Sequence, residues 1–350
     1  MISCHKGHNT VVQYLLETGA DPNDKALCGA SALHFSAEIG NVPIVESLLE
    51  HGARMEPNEH GMTPLKAAAE RCQAVMVDYM IQRPEIDKKQ RIEALELLGA
   101  SFANDKDNYD VGLAYTYLER AMKLRWAGDI IEKEGEYPVP AYDNWRESRT
   151  PEELERIGSD SASIHMEGLA IRERILGRDN PDVPHPIIYR GAVFADSARF
   201  DRCAQLWLHA LRLRQDTNLP VTKDLLRFAQ VFSQMLKVGL EVDIMTVKEV
   251  LNATVIEIER NQKKIANPGI KDDPELLQEE MENNCLTSLY LVMILTKISK
   301  NKEDKVEFAA MQEIYKLVQL NPLTSTGSSL LHLTVNQQTP VGELPISKCL

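Results

Sequence analysis

A 33-residue internal repeat at the start of the chain is the feature that most constrains its fold. When the sequence is displaced by 33 residues, Gly19 aligns with Gly52, and a further displacement of 32 residues aligns Ala37 with Ala69. A period near 33 with starts similar to Thr-Pro-Leu-His is typical of ankyrin repeats, whose paired helices stack into a solenoid. The sequence therefore predicts ankyrin repeats over residues 1–88.

The first of these repeats is incomplete. Met1 aligns with His34 of the next repeat, so the turn that begins a repeat is missing. The end of a solenoid without a polar capping repeat leaves an apolar face uncovered. We therefore expect the chain to be a fragment that lacks further repeats on its N-terminal side.

A different helical pattern follows over residues 89–320. Two segments there match the spacing of tetratricopeptide (TPR) helices, with small residues where paired helices would cross and aromatic residues beside them. These residues are Leu95, Leu98, Gly99, Phe102, Ala114, Leu118 and Ala121 in the first segment, and Gly191, Phe194, Phe200, Cys203, Trp207 and Ala210 in the second. The pattern predicts TPR-like helical hairpins, with residues 132–150 as a long connecting loop.

The last residues return to the ankyrin pattern. Residues 327–336 match the inner helix of an ankyrin repeat, with His332 in the position of His34, and they predict the start of a C-terminal ankyrin repeat over residues 321–350. We interpret both histidines as structural residues that hydrogen-bond to a neighbouring repeat. The predicted fold class is therefore all-α: an ankyrin-repeat solenoid, then TPR-like helical hairpins, then the start of a second ankyrin block.

Charge and motif content exclude several classes of function. The formal net charge of −13 repels phosphate backbones, so we expect no nucleic-acid partner. No apolar run approaches the ~20 residues needed to span a bilayer, so we expect no membrane partner. Six widely spaced cysteines without a secretory signal favour a reducing compartment, and therefore the cytoplasm and nucleus. Since the sequence has no nucleotide-binding, hydrolase or zinc-protease motif, we predict that the protein is not an enzyme.

Two residues of the kind that binds metals occupy equivalent positions one repeat apart. Cys28 and His60 each precede the glycine of a repeat start, Gly29 and Gly61, so stacking of the repeats places their loops side by side. Two side chains cannot close a tetrahedral zinc site, which takes four ligands. Two interpretations stay open: exposed loop residues without a ligand role, or half of a zinc site that a bound partner completes.

Several stretches of the sequence resemble the fem-one ("feminization") homologs, a family of ankyrin-repeat proteins. They are residues 92–102, 166–177, 188–196 and 331–333, while residues 206–211 and 225–235 resemble the B-type branch of the family. Members of this family are substrate-recognition subunits of a cullin-2 RING ubiquitin ligase. The resemblance implies that the chain binds C-terminal degrons of substrate proteins in its ankyrin groove, and that it carries out no bond chemistry itself.

The resemblance also assigns roles to individual residues. It implies that Cys28 and His60 contact the substrate through a bridging zinc ion, although Leu27 stands where the family has a further histidine. It implies as well that His5 borders the degron groove. Beyond zinc at the substrate interface, no cofactor is expected.

Ligase assembly in the family depends on a BC-box, in which a leucine precedes a cysteine by four residues. None of the cysteines in this chain has a leucine at that distance. We therefore expect contact with elongin B/C and cullin-2 only through regions that this chain lacks. The alternative function is a general ankyrin/TPR scaffold or adaptor without a link to a ligase.

Overall fold

The computed structural model describes residues 1–135, 138–269, 272–299 and 304–336. In these ranges the regular structure is helical, apart from two isolated bridges between extended residues, Lys25–Ser31 and Leu323–Ser329. The prediction of an all-α fold is confirmed. Across the same ranges, no helix is both long enough and apolar enough to cross a membrane.

The helices group into two compact units, Met1–Arg190 and Gly191–Leu350. The predicted domain limits at residues 88 and 320 are not tested by this division, and they stay predictions.

Three short helical hairpins begin the first unit. In the second hairpin, the backbone N–H of Ser31 donates to Nδ1 of His34 over 3.1 Å. The other ring nitrogen of His34, Nε2, donates to the backbone carbonyl of Met62 in the next hairpin over 2.9 Å. His34 therefore joins two repeats as predicted, and burial lowers the pKa of its ring. The helices are α1 (Ile2–His5), α2 (Asn9–Glu17), α3 (Ala32–Glu38), α4 (Val42–Glu50), α5 (Pro64–Glu70) and α6 (Ala74–Met80).

A second set of helices packs behind the ankyrin hairpins. It contains α7 (Lys88–Asn104), α8 (Val111–Trp126), a 3-10 turn (Pro140–Tyr142), α9 (Pro151–Ile157) and α10 (Ser161–Leu176). The pair α7 and α8 crosses at Gly99, where an added Cβ atom would lie 2.8 Å from the carbonyl oxygen of Ala114. Because only a hydrogen atom fits there, the prediction that a small residue marks this crossing is confirmed.

The connection between α8 and α9 is irregular, as predicted, but buried ion pairs anchor it. Its Lys133 side chain is only 3% exposed and lies 3.0 Å from a carboxylate oxygen of Glu147 and 3.4 Å from one of Glu167. The backbone N–H of Ser148 donates to Glu167 over 3.0 Å. We call the full set the ionic network; it comprises Glu96, Arg125, Lys133, Glu147, Glu167 and Arg174.

Glu96 of α7 lies at the centre of the ionic network. Its carboxylate accepts hydrogen bonds from Arg125 over 2.6 Å and from Arg174 over 2.7 Å. Burial raises the pKa of Glu96, but Lys133, Arg174 and Arg125 outweigh burial and lower it to about 2. Three carboxylates thus face three cations, and the connecting loop is fixed to α7, α8 and α10.

The remaining helices are longer. They are α11 (Pro184–Asp196), α12 (Phe200–Asp216), α13 (Thr222–Lys237), α14 (Ile244–Ala266), α15 (Pro274–Ser299), α16 (Asp304–Leu320) and α17 (Leu330–Val335). In the second unit, the ring of Trp207 lies directly against Gly191, where a Cβ atom has no room. Trp207 also packs edge-on against Phe228, with 5.6 Å between ring centroids. A bulky ring beside a glycine is the arrangement that the predicted TPR-like spacing requires.

The ankyrin pattern reappears at α17. The backbone N–H of Ser329 donates to Nδ1 of His332 over 3.2 Å, which repeats the arrangement of Ser31 and His34. The start of an ankyrin inner helix is therefore present where the sequence predicts it. The predicted bond from His332 to a neighbouring repeat stays a prediction, because residues 337–350 lie outside the described residues.

Candidate functional site

Two finger loops, defined as residues 25–31 and 56–62, carry the two predicted ligand residues. In the first loop, the backbone N–H of Ala26 donates to the carbonyl oxygen four residues later over 2.8 Å. Gly29 lies between these residues with a φ of +74°, a left-handed conformation that glycine adopts at little cost. The loop therefore folds back on itself and presents the Cys28 side chain to solvent.

An asparagine shapes the second finger loop. Oδ1 of Asn58 accepts hydrogen bonds from the backbone N–H groups of His60 over 2.9 Å and of Met62 over 3.0 Å. Short side-chain amides of this kind commonly close turns by bonding to the backbone two residues on. The backbone of His60 is thereby fixed, while its imidazole stays exposed.

The two finger loops are in direct contact. The backbone N–H of Glu59 donates to the carbonyl oxygen of Cys28 over 3.2 Å. A Cβ atom added at Gly29 would lie 2.9 Å from the same Glu59 nitrogen, so the two backbones approach as closely as glycine permits. The structure therefore brings the two loops together: Cys28 accepts the hydrogen bond, and His60 follows the residue that donates it.

The donor set of this pair is incomplete for a metal ion. Thiolate sulfur and imidazole nitrogen are the preferred ligands of zinc, but a structural zinc site takes four of them. Among the described residues, no group of three or more His, Cys, Asp or Glu side chains is placed to hold a metal ion. By their chemistry Cys28 and His60 could supply two of these four ligands, and the described residues do not complete the set.

Cys28 differs from the other described cysteines in its exposure. Cys4, Cys72, Cys203 and Cys285 are buried. Burial raises the pKa of the Cys72 and Cys285 thiols to about 12, which keeps them protonated and unreactive. Cys28 is thus the thiol of the described chain that a metal ion or a partner can reach.

His5, the third predicted site residue, lies on α1, which packs against α3. We call the surface formed by α1, α3 and α5 the inner groove. His5 is exposed on α1, and its ring meets that of Phe35 on α3 edge-on, with 6.2 Å between centroids. One turn along α3, burial raises the pKa of the Glu38 carboxyl, while Arg71 opposes that rise. An aromatic edge beside a carboxyl group is a surface suited to a peptide.

The inner groove is bounded at α5 by residues from α10 and the turn that follows it. Arg172 of α10 donates to Glu70 over 2.5 Å and to the carbonyl oxygen of Asp182 over 3.2 Å. Glu70 also pairs with Arg71 over 3.0 Å. These paired charges therefore lie at the α5 side of the inner groove, away from His5.

Sequence reasoning missed Phe35 and Glu38 as groove residues. They follow His34 by one and four residues on α3, and both are half-buried rather than fully buried. Repeat spacing alone does not identify them, because positions of an inner helix can also face the inner helices of neighbouring repeats, as α3 faces α1 and α5. The predicted roles of His5, Cys28 and His60 in binding stay predictions.

Comparison with known proteins identifies relatives of the chain. A family model described as ankyrin repeats, in three copies, matches residues 1–92. Protein fem-1 homolog A-like of Mus musculus is 34% identical over 97% of this chain and 58% of its own length. Protein fem-1 homolog A of Danio rerio is 39% identical over 85% of this chain and 49% of its own length. Protein fem-1 homolog C of Homo sapiens is 39% identical over 87% of this chain and 50% of its own length.

The chain spans about half the length of the curated relatives it matches. Since these relatives are named as types A and C, the B-type assignment stays a prediction, as does the expectation that the chain is a fragment. Among solved structures, the ankyrin repeat domain of human ASB11 covers 51% of this chain and 96% of its own, at 19% identity. Its TM-score of 0.29 is too low to support an argument.

Proposed function

Because this chain belongs to the fem-1 homolog family, we propose that it is part of the substrate-recognition subunit of a cullin-2 RING ubiquitin ligase. In this role it binds the C-terminal degrons of substrate proteins in the inner groove. The observation that carries the proposal is family similarity across 97% of the chain, together with ankyrin repeats, which bind proteins.

The proposed role is that of a scaffold. The chain holds a substrate so that its lysines come near a ubiquitin-carrying enzyme, and it forms and breaks no bonds itself. Elongin B/C and cullin-2 join through regions outside this chain, and the assembly acts in the cytoplasm and nucleus. The exposed His5 and the half-buried Phe35 beside it support this role, since binding of a peptide needs an accessible surface with an apolar element.

Zinc at the substrate interface is part of the proposal. Cys28 and His60 would supply two ligands, and two cysteine or histidine residues of the substrate would supply the other two. The bound zinc would add a directional contact to substrate recognition. Binding of a cysteine- and histidine-containing substrate peptide should then rise when zinc is added, and it should fall to the zinc-free level in a Cys28→Ser, His60→Ala double variant. A zinc response that survives the double variant excludes these residues as ligands.

Degron binding is tested by titrating the chain with fluorescent peptides that end in arginine or proline. Phe35→Ala should weaken binding of any peptide that occupies the inner groove. Tyr14→Ala is the matched control, because Tyr14 is 65% exposed on the outer helix α2. If no such peptide binds, or if both variants weaken binding equally, the inner groove is not a degron site.

The alternative is a general ankyrin/TPR scaffold without a link to a ligase. It is favoured if captured partners bind through internal segments rather than through their C-termini. Trimming the last residues of a captured partner separates the two functions, because only degron binding depends on a free C-terminus.

A further inference from the structure

Arg190, the last residue of the first unit, is a buried cation that is only 5% exposed. Its Nε donates to Oδ1 of Asn104 over 3.2 Å and its Nη2 donates to the carbonyl oxygen of Ala103 over 2.9 Å, and both acceptors are uncharged. Among the described residues no carboxylate forms an ion pair with Arg190, whereas the buried Arg125 pairs with Glu96. Burial accordingly lowers the pKa of Arg190. Buried charges are normally paired, so the described part of the chain leaves this guanidinium without its usual partner.

The ring of Tyr109 lies against this guanidinium. Tyr109 belongs to the loop 105–110 between α7 and α8, and it is 47% exposed. The centroid of its ring lies 5.6 Å from the guanidinium carbon of Arg190, and its hydroxyl oxygen lies 2.9 Å from Nε2 of His165 on α10. A group attached to the phenol oxygen would therefore lie next to a histidine and close to the unpaired arginine.

Acidic residues flank Tyr109 in the sequence, and they are Asp105, Asp107 and Asp110. The loop is exposed from residue 106 to residue 110. Kinases select their substrates in part by the charges around the acceptor hydroxyl, so an acidic loop suits a kinase whose substrate groove is basic. We propose that Tyr109 is phosphorylated by a protein tyrosine kinase and that the phosphate then forms an ion pair with Arg190.

The transfer uses ATP as the second substrate of the kinase. The bond between the γ-phosphorus and the oxygen that bridges it to ADP breaks, and a bond forms between that phosphorus and the phenol oxygen of Tyr109. The phenol proton passes to the catalytic aspartate of the kinase, and ADP leaves. The product carries a phosphate with a charge of about −1.5 to −2 where the unmodified chain has a neutral phenol.

The phosphate supplies the anion that Arg190 lacks. It presents three acceptor oxygens, and guanidinium and phosphate groups form strong charge-assisted hydrogen bonds. Burial, and after it the charge of Arg190, lowers the pKa of His165 to about 4, and a phosphate beside the ring would raise that pKa and favour the imidazolium. The aspartates of the loop oppose the phosphate by repulsion, but Asp105 and Asp110 already accept hydrogen bonds from backbone N–H groups of the loop and of α8.

This modification goes beyond the proposed function and does not depend on it. Tyr109, His165 and Arg190 all belong to the first unit, so the phosphate would connect three segments of that unit. The phosphorylated chain would then be the more stable form, and a kinase would control the rigidity of the helices behind the ankyrin hairpins.

Phosphorylation is tested with the full chain, ATP, Mg²⁺ and a panel of tyrosine kinase domains. A synthetic peptide of residues 103–114 first identifies the kinases that accept the sequence. Those kinases should also phosphorylate Tyr109 in the folded chain, as located by mass spectrometry. They should leave Tyr14 unmodified, because Tyr14 is 65% exposed but lies within α2, with no acidic residue among the five before it. If no kinase accepts the peptide, if Tyr109 of the folded chain stays unmodified, or if Tyr14 is modified equally, the proposal is overturned.

The ion pair is tested by ³¹P NMR of the chain phosphorylated at Tyr109. The second ionisation of the phosphate, whose pKa is about 6 without partners, should occur about one pH unit lower in the folded chain than in the same chain unfolded by urea. Arg190→Gln should remove most of this shift and Arg190→Lys should retain part of it. Arg178→Gln should leave it unchanged, because Arg178 is exposed and pairs with Glu173. A phosphate that titrates at the same pH in the folded and unfolded chains, or a shift that survives Arg190→Gln in a folded variant, contradicts the ion pair.

Discussion

Replacing Gly29 with alanine is expected to separate the two finger loops. The added Cβ atom would lie 2.9 Å from the Glu59 nitrogen, whereas ordinary contacts begin near 3.4 Å. A left-handed backbone costs a non-glycine residue about 1–2 kcal/mol. Overpacking adds about 1–3 kcal/mol, and loss of the hydrogen bond to Cys28 adds about 1 kcal/mol. Alanine also lowers the conformational entropy of the unfolded chain, which stabilises the folded state by about 0.4–1 kcal/mol. We expect a net loss of about 2–6 kcal/mol.

Gly61→Ala is the matched control for this substitution. Gly61 has a φ of +71°, nearly that of Gly29, but nothing lies within 4 Å of an added Cβ atom. The control therefore carries the conformational cost alone, about 1 kcal/mol after the effect on the unfolded chain. The difference between the two variants, at least about 2 kcal/mol, measures the contact between the finger loops.

Native-state hydrogen exchange at the Glu59 amide measures this contact most directly. The amide is protected while it donates to the Cys28 carbonyl, so a local loss of about 2 kcal/mol should speed its exchange about 30-fold in Gly29→Ala. Gly61→Ala should leave that exchange within a few-fold of wild type. If both variants change the Glu59 exchange equally, the close approach of the finger loops at Gly29 is refuted.

Three further predictions concern stability, measured as the free energy of unfolding of the first unit. Lys133→Met should lower it by about 3–5 kcal/mol by leaving buried carboxylates unpaired, whereas Lys89→Met breaks an exposed pair and should cost under about 1 kcal/mol. Equal midpoints of urea unfolding for Lys133→Met and Lys89→Met would contradict a stabilising role of the buried ion pairs. Gly99→Ala should cost about 1–3 kcal/mol by overpacking against α8; a neutral result would show that the crossing has room. Burial lowers the pKa of His165 to about 4, so between pH 6.5 and 4 only the unfolded chain gains that proton and stability falls. His165→Gln should remove the part of this fall in stability that His165 causes. A variant whose stability depends on pH as the wild type does would contradict this role of His165.

The ankyrin hairpins were predictable because their signals are local and recur. Gly29 and Gly61 adopt left-handed conformations at equivalent places, and His34 makes the bond between repeats that its position requires. Once the repeats stack, the contact between the finger loops follows from the period alone. The sequence therefore sufficed to place the loops of Cys28 and His60 side by side, although it did not show that both residues stay exposed.

The ionic network was not predictable in the same way. Glu96, Lys133 and Glu167 are separated by more than thirty residues along the chain, and each sits in a segment whose charges resemble those of a solvated surface. Their burial arises only when α7, α10 and the connecting loop pack together. Local spacing carries no information about such a contact, so the loop was predicted as a connection without an anchor.

The central claim, that this chain recognises the C-terminal ends of proteins, is tested most directly with pairs of peptides that differ only at the C-terminus. One peptide of each pair ends in a free carboxylate and the other in an amide, and both end in the same arginine or proline. We predict that the chain binds the free-acid peptide at least tenfold more tightly, and that Phe35→Ala removes the difference. Equal affinity for the acid and the amide would contradict recognition of C-terminal degrons.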